Sequence, residues 1–211
     1  MRRLGGIFFL GVAALGAADL PRIVYSKSFP ASNPAYVEIV VDSAGHGLYK
    51  EAKDDDSPVE FQLAPAEVQT IFDVAARLDH FSKPLESPLK VAFMGEKTFR
   101  WENGAEKREV KFNYSANADA MSLWDWFERI VESEQRFAEL DNASHFDKLG
   151  VNQAVLDLEA SLDRKRLVAL AQFLPLLDRI AGSERYMHMA RERAAAVAEE
   201  IRNPAPKAQA Q

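Results

Sequence analysis

Through much of the first half of the chain, apolar residues alternate with more polar ones, which is the pattern of half-buried β-strands. One such run covers 36–41, and a segment rich in turn residues at 42–47 separates it from a short run at 48–51. Further runs lie near Arg22 and at 59–63. The sequence therefore predicts a β-hairpin and two more strands before the first helix.

After Pro65 the apolar spacing changes from two residues to three or four, and proline is well tolerated at the first position of a helix. The apolar positions with this spacing are Val68, Ile71, Phe72, Ala75, Leu78 and Phe81. They fall on one side of a helix. We expect this helix to lie against a sheet.

Three further runs, at 89–94, 98–102 and 107–114, predict an antiparallel meander after this helix. A three-residue loop at 95–97 is expected between the first two strands, because it places the phenylalanines of both strands on the inner side. The meander would complete the sheet of the N-terminal half.

The dipeptide Asn103-Gly104 favours a tight two-residue turn in the meander, because both central positions of such a turn need positive φ. This turn would pair Trp101 with Glu106. The residues that this register places on one face are Phe99, Trp101, Val110, Phe112 and Tyr114.

A long helix is predicted to begin near Asn117, and it carries two apolar stripes at helical spacing. One stripe comprises Ala120, Trp124, Phe127 and Val131, and the other comprises Leu123, Trp126, Ile130 and Phe137. One stripe would be enough for packing on a sheet. Two stripes predict that the helix is enclosed, with the meander on one side and the C-terminal helices on the other.

From 151 to 202 every apolar set has helical spacing, with breaks between Leu162 and Leu167 and at Gly182-Ser183. About three helices are expected there, and Pro175 should kink the middle one. The predicted fold class is α+β, with an antiparallel sheet and packed helices in the N-terminal half and a C-terminal helical region. We place the sheet domain at 19–145 and the helical region, packed on it, at 146–202.

Residues 1–18 have the three parts of a secretory signal peptide. Arg2 and Arg3 precede an apolar stretch at 4–15, and small residues at 16–18 form a cleavage site. The stretch is shorter than the roughly 20 residues that a membrane-spanning helix needs. We therefore expect an exported protein, periplasmic or extracellular, with no stable membrane anchor after cleavage. The polar tail at 203–211 is predicted to be disordered.

Charge and cysteine content narrow the classes of partner. The formal net charge is −6 at pH 7, and loss of Arg2 and Arg3 with the signal peptide would make it −8. Such a surface repels phosphate backbones, so nucleic acid is not expected as a partner. Because the sequence contains no cysteine, disulfides, thiolate metal sites and cysteine nucleophiles are excluded.

No motif in the sequence indicates catalysis or metal binding. The four histidines are scattered, and neither a His-Glu-x-x-His motif nor a serine nucleophile elbow occurs. The run Asp54-Asp55-Asp56 lacks the spacing of a calcium loop. Met187-His188-Met189 has copper-ligating side chains, but successive helical residues point about 100° apart and do not converge on one ion. We predict no catalytic residues, no metal and no cofactor.

The order of elements from about Tyr36 to Glu134 resembles that of emfourin, a small bacterial protein inhibitor of thermolysin-like metalloproteases. The shared layout is a strand, a glycine turn, further strands, a helix ending in Leu78 and Phe81, a meander and a closing helix. The resemblance covers about half of the chain. No inhibitory loop residues match, so the resemblance implies protein binding without assigning functional positions.

Three functions are compatible with the sequence. The leading one is an exported, non-enzymatic protein-interaction module whose partner is another exported protein. The second is an inhibitor of a secreted metalloprotease. The third is a ligand-binding protein or hydrolase with a pocket between sheet and helices, and its predicted rim consists of Arg100, Lys111, Asn113 and Asp125.

Overall fold

The computed structural model describes residues 20–204, and in this part of the chain it confirms an α+β fold. The strands are β1 (Arg22–Ser28), β2 (Tyr36–Asp42), β3 (His46–Lys50), β4 (Val59–Gln62), β5 (Glu96–Asn103) and β6 (Glu106–Phe112). The α-helices are α1 (Pro65–Arg77), α2 (Ala118–Phe146), α3 (Val151–Asp163), α4 (Leu174–Ala181) and α5 (His188–Arg202). The predicted signal peptide and most of the predicted disordered tail lie outside the described residues.

The six strands form one sheet in the order β4-β3-β2-β1-β5-β6, and every neighbouring pair is antiparallel. The strand predicted near Arg22 is central, because β1 pairs with both β2 and β5. Alternate residues face α1 and α2, and those on the opposite face are mostly charged or polar. No helix within residues 20–204 is long and apolar enough to cross a membrane.

The inward face of the sheet, α1 and the first half of α2 form one hydrophobic core. The alternation predicted for β2 is confirmed, since Val37 and Ile39 are fully buried. At the centre Tyr25, Phe99 and Phe127 pack ring against ring, with Tyr25 and Phe127 stacked at 4.8 Å between centroids. This core fixes α2 against β1 and β5.

The predicted three-stranded meander is wrong, because 89–94 is a loop and not a strand. Strand β5 already has β1 on one side and β6 on the other, so no edge of β5 is free for a third strand of the meander. The expected loop at 95–97 is wrong for the same reason, since Glu96 and Lys97 are the first residues of β5.

The hairpin between β5 and β6 has a different register from the predicted one. Asn103 pairs with Glu106, and Trp101 pairs with Arg108, so the turn lies at 104–105. Gly104 has φ +58°, which is the conformation that this turn requires. Because side chains alternate with a period of two, a shift of two residues leaves the predicted inward face unchanged. Its buried members are Phe99, Trp101, Val110 and Phe112.

Helix α2 is 29 residues long and joins two cores end to end. Members of both predicted stripes, such as Phe127 and Ile130, are buried in the first core. Leu140, three turns further on, is buried in a second core with α3, α4 and α5. The prediction that the two stripes face opposite partners is therefore wrong, since the partners follow one another along the helix.

The C-terminal region contains α3, α4 and α5, and a short 3₁₀ helix at Leu170–Phe173 precedes α4. The predicted number of about three helices therefore becomes four helical segments. Pro175 lies in the first turn of α4, where its missing N–H is tolerated. Where one kinked helix was expected, the structure has two helical segments, the 3₁₀ helix and α4, which meet between Phe173 and Leu174.

Candidate functional site

The structure does not bring the four residues of the predicted rim together around one pocket. Arg100 and Lys111 lie on the outward face of β5 and β6, because they alternate with the buried residues of those strands. Asp125 lies on α2, which packs against the inward face. Asn113 directly follows the end of β6. The four positions therefore need separate accounts.

Arg100 belongs to a ladder of ion pairs on the outward face. Its Nε lies 2.9 Å from Glu102 Oε1, and its Nη1 lies 3.7 Å from Glu109 Oε2. Arg22 also reaches Glu102, at 2.5 Å. Burial would raise the pKa of Glu102, but the hydrogen bond from Arg22 and the surrounding cations hold it below its usual value. Arg100 thus links β5 to β6. Lys111 of β6 forms a second link between these strands, because its Nζ lies 3.5 Å from Glu96 Oε1 of β5.

The loop before β5 exposes four large apolar side chains. We call residues 85–95 the apolar loop. Its apolar side chains Leu89, Val91, Phe93 and Met94 are between 41% and 61% exposed. At its beginning Leu85 is buried in the first core. At its end Gly95 has φ +93°, and an added Cβ would lie 2.7 Å from the Cβ of Phe29, so only glycine fits there.

Asn113 fastens the C-terminal end of the apolar loop. Its Oδ1 accepts a hydrogen bond from Met94 N at 2.7 Å, and its Nδ2 donates to Ala92 O at 3.0 Å. Its backbone N–H donates to Glu86 Oε2 at 2.5 Å. The predicted binding residue Asn113 is therefore a positioning residue, because it holds the backbone of the loop rather than facing a pocket.

Lys97 fastens the same loop from inside the protein. It is only 2% exposed, and its Nζ donates to the backbone oxygens of Met94, Gly95 and Asn113 at 3.4, 3.2 and 2.8 Å. The same Nζ lies 4.9 Å from the centroid of the Trp124 ring. Burial, and then the charge of Lys27, lower the pKa of Lys97. This buried ammonium thus couples the loop to α2.

Glu128 of α2 connects this region to β1. Its Oε1 accepts hydrogen bonds from Tyr25 Oη at 2.9 Å, from Lys27 Nζ at 2.8 Å and from Trp124 Nε1 at 3.0 Å. Burial, and then the charge of Glu128, raise the pKa of Tyr25 well above its usual value. Glu128 thus connects β1 to α2 beside Trp124, whose ring contacts Lys97.

Asp125, the fourth residue of the predicted rim, lines a small cavity of about 390 Å³ beside Trp124. Its Oδ1 accepts a hydrogen bond from Arg166 Nη1 at 2.6 Å. The Nε of Arg166 donates to Glu132 Oε2 at 3.1 Å. Asp125 therefore holds the segment after α3 against α2.

A larger cavity, of about 700 Å³, lies between β3 and the C-terminal half of α2. We call it the Glu134 cavity. Its wall includes Tyr49, Lys50, Glu51, Asp55, Glu134 and Phe137. Its wall comes from β3, β4, the neighbouring loops and α2 rather than from β5 and β6, and none of the four predicted rim residues lines it.

Glu134 is the most unusual group of this cavity, because its carboxyl is 2% exposed and only half partnered. Its Oε1 accepts a hydrogen bond from Gln172 Nε2 at 2.9 Å. Its buried Oε2 has no hydrogen-bond partner among residues 20–204. Burial raises the pKa of Glu134 to about 7, and the Gln172 hydrogen bond offsets only part of this rise. The carboxyl can therefore exchange its proton near neutral pH.

Within residues 20–204, no group of three or more His, Asp or Glu side chains is arranged to hold a metal ion. In the Met187-His188-Met189 run, His188 Nε2 lies 3.1 Å from Glu192 Oε1. The two methionines are 41% and 56% exposed. The three side chains therefore do not form a closed ligand set.

In comparisons with known proteins, no family model and no curated protein matches this chain. Among the described residues, the two features that could serve a function are the apolar loop and the Glu134 cavity.

Proposed function

We propose that this protein is an exported, non-enzymatic protein-interaction module that binds another exported protein through the apolar loop. The observation that carries the proposal is the exposure of four large apolar side chains within one short, hydrogen-bonded loop. They are Leu89, Val91, Phe93 and Met94. Clustered apolar surface of this kind commonly marks a protein interface.

Burial of the apolar loop in an interface supplies favourable binding free energy. Complete burial of one such side chain is worth roughly 1.5–3 kcal/mol relative to full exposure. Because the four side chains are already about half buried, their remaining contribution is on the order of 4 kcal/mol. That is enough for the loop to be the centre of an interface, with polar contacts around it.

The way the loop is anchored favours binding further. Asn113 and Lys97 hold the backbone of Ala92, Met94 and Gly95 by hydrogen bonds. A loop that is already ordered loses less conformational entropy when a partner binds.

A second candidate function, inhibition of a secreted metalloprotease, draws on the same loop. The loop is held at both ends, by Ser87 N donating to Tyr114 O at 2.8 Å and by Asn113. A segment fixed in this way can occupy a substrate cleft without changing shape. The measurement is residual activity of secreted bacterial metalloproteases at stoichiometric protein, and an unaffected panel would exclude the inhibitor function.

The experiment that tests the interaction module compares three tagged forms of the protein. One is wild type, and one carries Leu89→Ser, Val91→Ser, Phe93→Ser and Met94→Ser. The third is a matched control, Phe146→Ser with Leu149→Ser, which changes side chains that are 86% and 75% exposed far from the loop. Each is cross-linked in a periplasmic or culture extract of the native host, captured and examined by mass spectrometry.

We expect one partner, near equal stoichiometry, with wild type and with the control, and its loss with the loop variant. The cross-linked residues of the chain should lie within 85–95 and its neighbours. A partner that the loop variant retains at full yield would contradict the role of the loop. Reproducible turnover of a substrate by the purified protein would contradict the non-enzymatic function.

A further inference from the structure

The apolar loop has the sequence pattern of a strand but no strand beside it. Leu89, Val91 and Phe93 are large apolar residues at every second position, which is typical of β-strands. The chain runs without a turn or a bend over 90–95. It does not pair with β5, because β1 and β6 occupy both sides of that strand. The loop therefore contains an extended segment that no ladder of the sheet includes.

Asn113 and Lys97 form hydrogen bonds along one edge of this segment. The side-chain amide of Asn113 accepts from Met94 N at 2.7 Å and donates to Ala92 O at 3.0 Å, so it reaches the residues on both sides of Phe93. Met94 O also accepts from Lys97 Nζ at 3.4 Å. The hydrogen-bonded backbone groups of 91–94 thus belong to Ala92 and Met94.

Val91 and Phe93 form the opposite edge of the segment. Successive residues of an extended chain direct their backbone N–H and C=O groups to opposite sides. No hydrogen bond within residues 20–204 uses the backbone N–H or C=O of Val91 or Phe93. The two residues are 41% and 60% exposed. Their four backbone groups therefore make a short open strand edge, which is a template for pairing with another chain.

The side chains along this edge indicate which kind of segment fits. Phe93 packs edge-on against Phe29, which directly follows β1, with 6.0 Å between the ring centroids. Leu89 and Val91 share a face of the extended segment with Phe93, and both are exposed. A strand added here would place every second side chain beside these three residues. Apolar side chains at those positions would bury the exposed surface.

We propose that the partner protein binds the apolar loop by strand addition, with an extended segment whose backbone pairs with Val91 and Phe93 and whose alternate side chains are apolar. This inference rests on the proposed function and states how the partner is recognised. In strand addition, main-chain hydrogen bonds supply affinity, and the alternate side chains supply specificity.

The experiment uses a phage-displayed library of random eight-residue peptides and measures the affinity of a selected peptide by isothermal titration calorimetry. Val91→Pro removes an N–H from the open edge. The matched control, Ala92→Pro, removes an N–H from the other edge, which also has no hydrogen-bond partner within residues 20–204. The control should bind like wild type, whereas Val91→Pro should bind roughly tenfold more weakly or worse, because it lacks one main-chain hydrogen bond and turns a ring toward the incoming strand.

Two further measurements use wild-type protein alone, and they decide if circular dichroism shows that a proline variant is unfolded. The selected peptide with a methyl group on every backbone nitrogen keeps its side chains but cannot donate main-chain hydrogen bonds, and its binding should be lost. In NMR, saturation with the unmethylated peptide should slow solvent exchange of the Val91 and Phe93 amides by roughly tenfold or more and leave the Ala92 amide unchanged.

Equal affinity of the two proline variants would overturn strand addition, as would undiminished binding of the methylated peptide. So would a library without any peptide that prefers wild type over the fourfold serine variant of the loop. A wild-type dimer that Val91→Pro abolishes would mean that a second copy of the chain occupies the edge instead. A captured partner that needs the apolar side chains yet binds Val91→Pro as tightly as wild type would leave the interaction module standing and remove strand addition.

Discussion

Lys97 and Glu134 are charged residues at positions where the sequence pattern predicts apolar ones. Lys97 is two residues before Phe99 on the inward face of β5, and Glu134 is four residues after Ile130 on the buried side of α2. Both are 2% exposed. The spacing alone marks such residues as unusual. Two of the partners, Asn113 of Lys97 and Gln172 of Glu134, could not be predicted, because each comes from a segment that meets its partner only in the folded chain.

The first prediction concerns the pH dependence that Glu134 gives to the stability of the fold. Its pKa rises from 4.5 to about 7 on folding. The folded state therefore holds the proton more tightly, and stability falls as pH rises through this window. Relative to Glu134→Gln, which stays neutral, wild type should lose about 3 kcal/mol of unfolding free energy between about pH 4.5 and pH 8.

Urea unfolding of the two proteins at several pH values measures this difference. Most of the loss of unfolding free energy should occur between pH 4.5 and about pH 7, and little further loss should occur above pH 7. Parallel stability curves for wild type and Glu134→Gln would show that the carboxyl is ionised in the folded protein, and would contradict the argument from burial.

The second prediction concerns Asn113 and the apolar loop. Asn113→Ala removes two hydrogen bonds to the loop backbone and leaves Met94 N without its acceptor. We expect the Met94 amide to exchange its hydrogen roughly tenfold faster, and the free energy of unfolding to fall by about 1 kcal/mol. Native-state hydrogen exchange followed by NMR measures the first effect, and urea unfolding measures the second.

Lys111→Ala is the matched control for Asn113, because Lys111 is exposed two residues earlier. Its removal should change stability by less than about 0.5 kcal/mol and leave exchange in the loop as it is. Equal exchange of Met94 in all three proteins would mean that Lys97 alone orders the loop.

At the level of elements, the periodicity of the sequence predicted the type of most segments but not all of their partners. The inward face of the β5–β6 hairpin survived an error of two residues in register, because faces repeat every second residue. The segment 89–94 has the alternation of a strand, yet β1 and β6 occupy both edges of β5. Whether 89–94 can pair with β5 depends on β1, which is distant in sequence, and a local pattern of apolar residues gives no information on such pairing.

The third prediction concerns the segment 164–169, which connects α3 to the first core. Ser133 of α2 is fully buried, and its Oγ accepts a hydrogen bond from Val168 N at 2.8 Å while donating to Arg129 O at 2.9 Å. Ser133→Ala leaves the buried Val168 N–H without an acceptor, which costs about 1–3 kcal/mol. Urea unfolding followed by circular dichroism should show this loss of stability.

Ser122→Ala is the matched control, because Ser122 is an exposed residue of the same helix. It should change the free energy of unfolding by less than about 0.5 kcal/mol. A Ser133 variant as stable as this control would show that the contact between α2 and the segment after α3 contributes little to holding the two cores together.

At the scale of the whole molecule, the α+β class and the change from sheet to helices followed from the sequence, because each depends on local spacing. The division of α2 between two cores did not, since both of its stripes are equally apolar. The same holds for the Glu134 cavity, whose wall joins residues from Asn33 to Asn142. A cavity between distant segments leaves no local signal in the sequence.

The fourth prediction tests export, on which the proposed partner depends. Expressed with its own N-terminus in a bacterium, the chain should lose residues 1–18 and appear outside the cytoplasm beginning at Asp19, as measured by intact mass and N-terminal sequencing. Signal cleavage needs a small residue before the cut, so Ala18→Phe should leave an uncleaved precursor, whereas Ala13→Leu, inside the apolar stretch, should be processed normally. Full-length wild-type protein that stays in the cytoplasm would remove exported proteins from the set of partners and direct the capture experiment to cytoplasmic extracts.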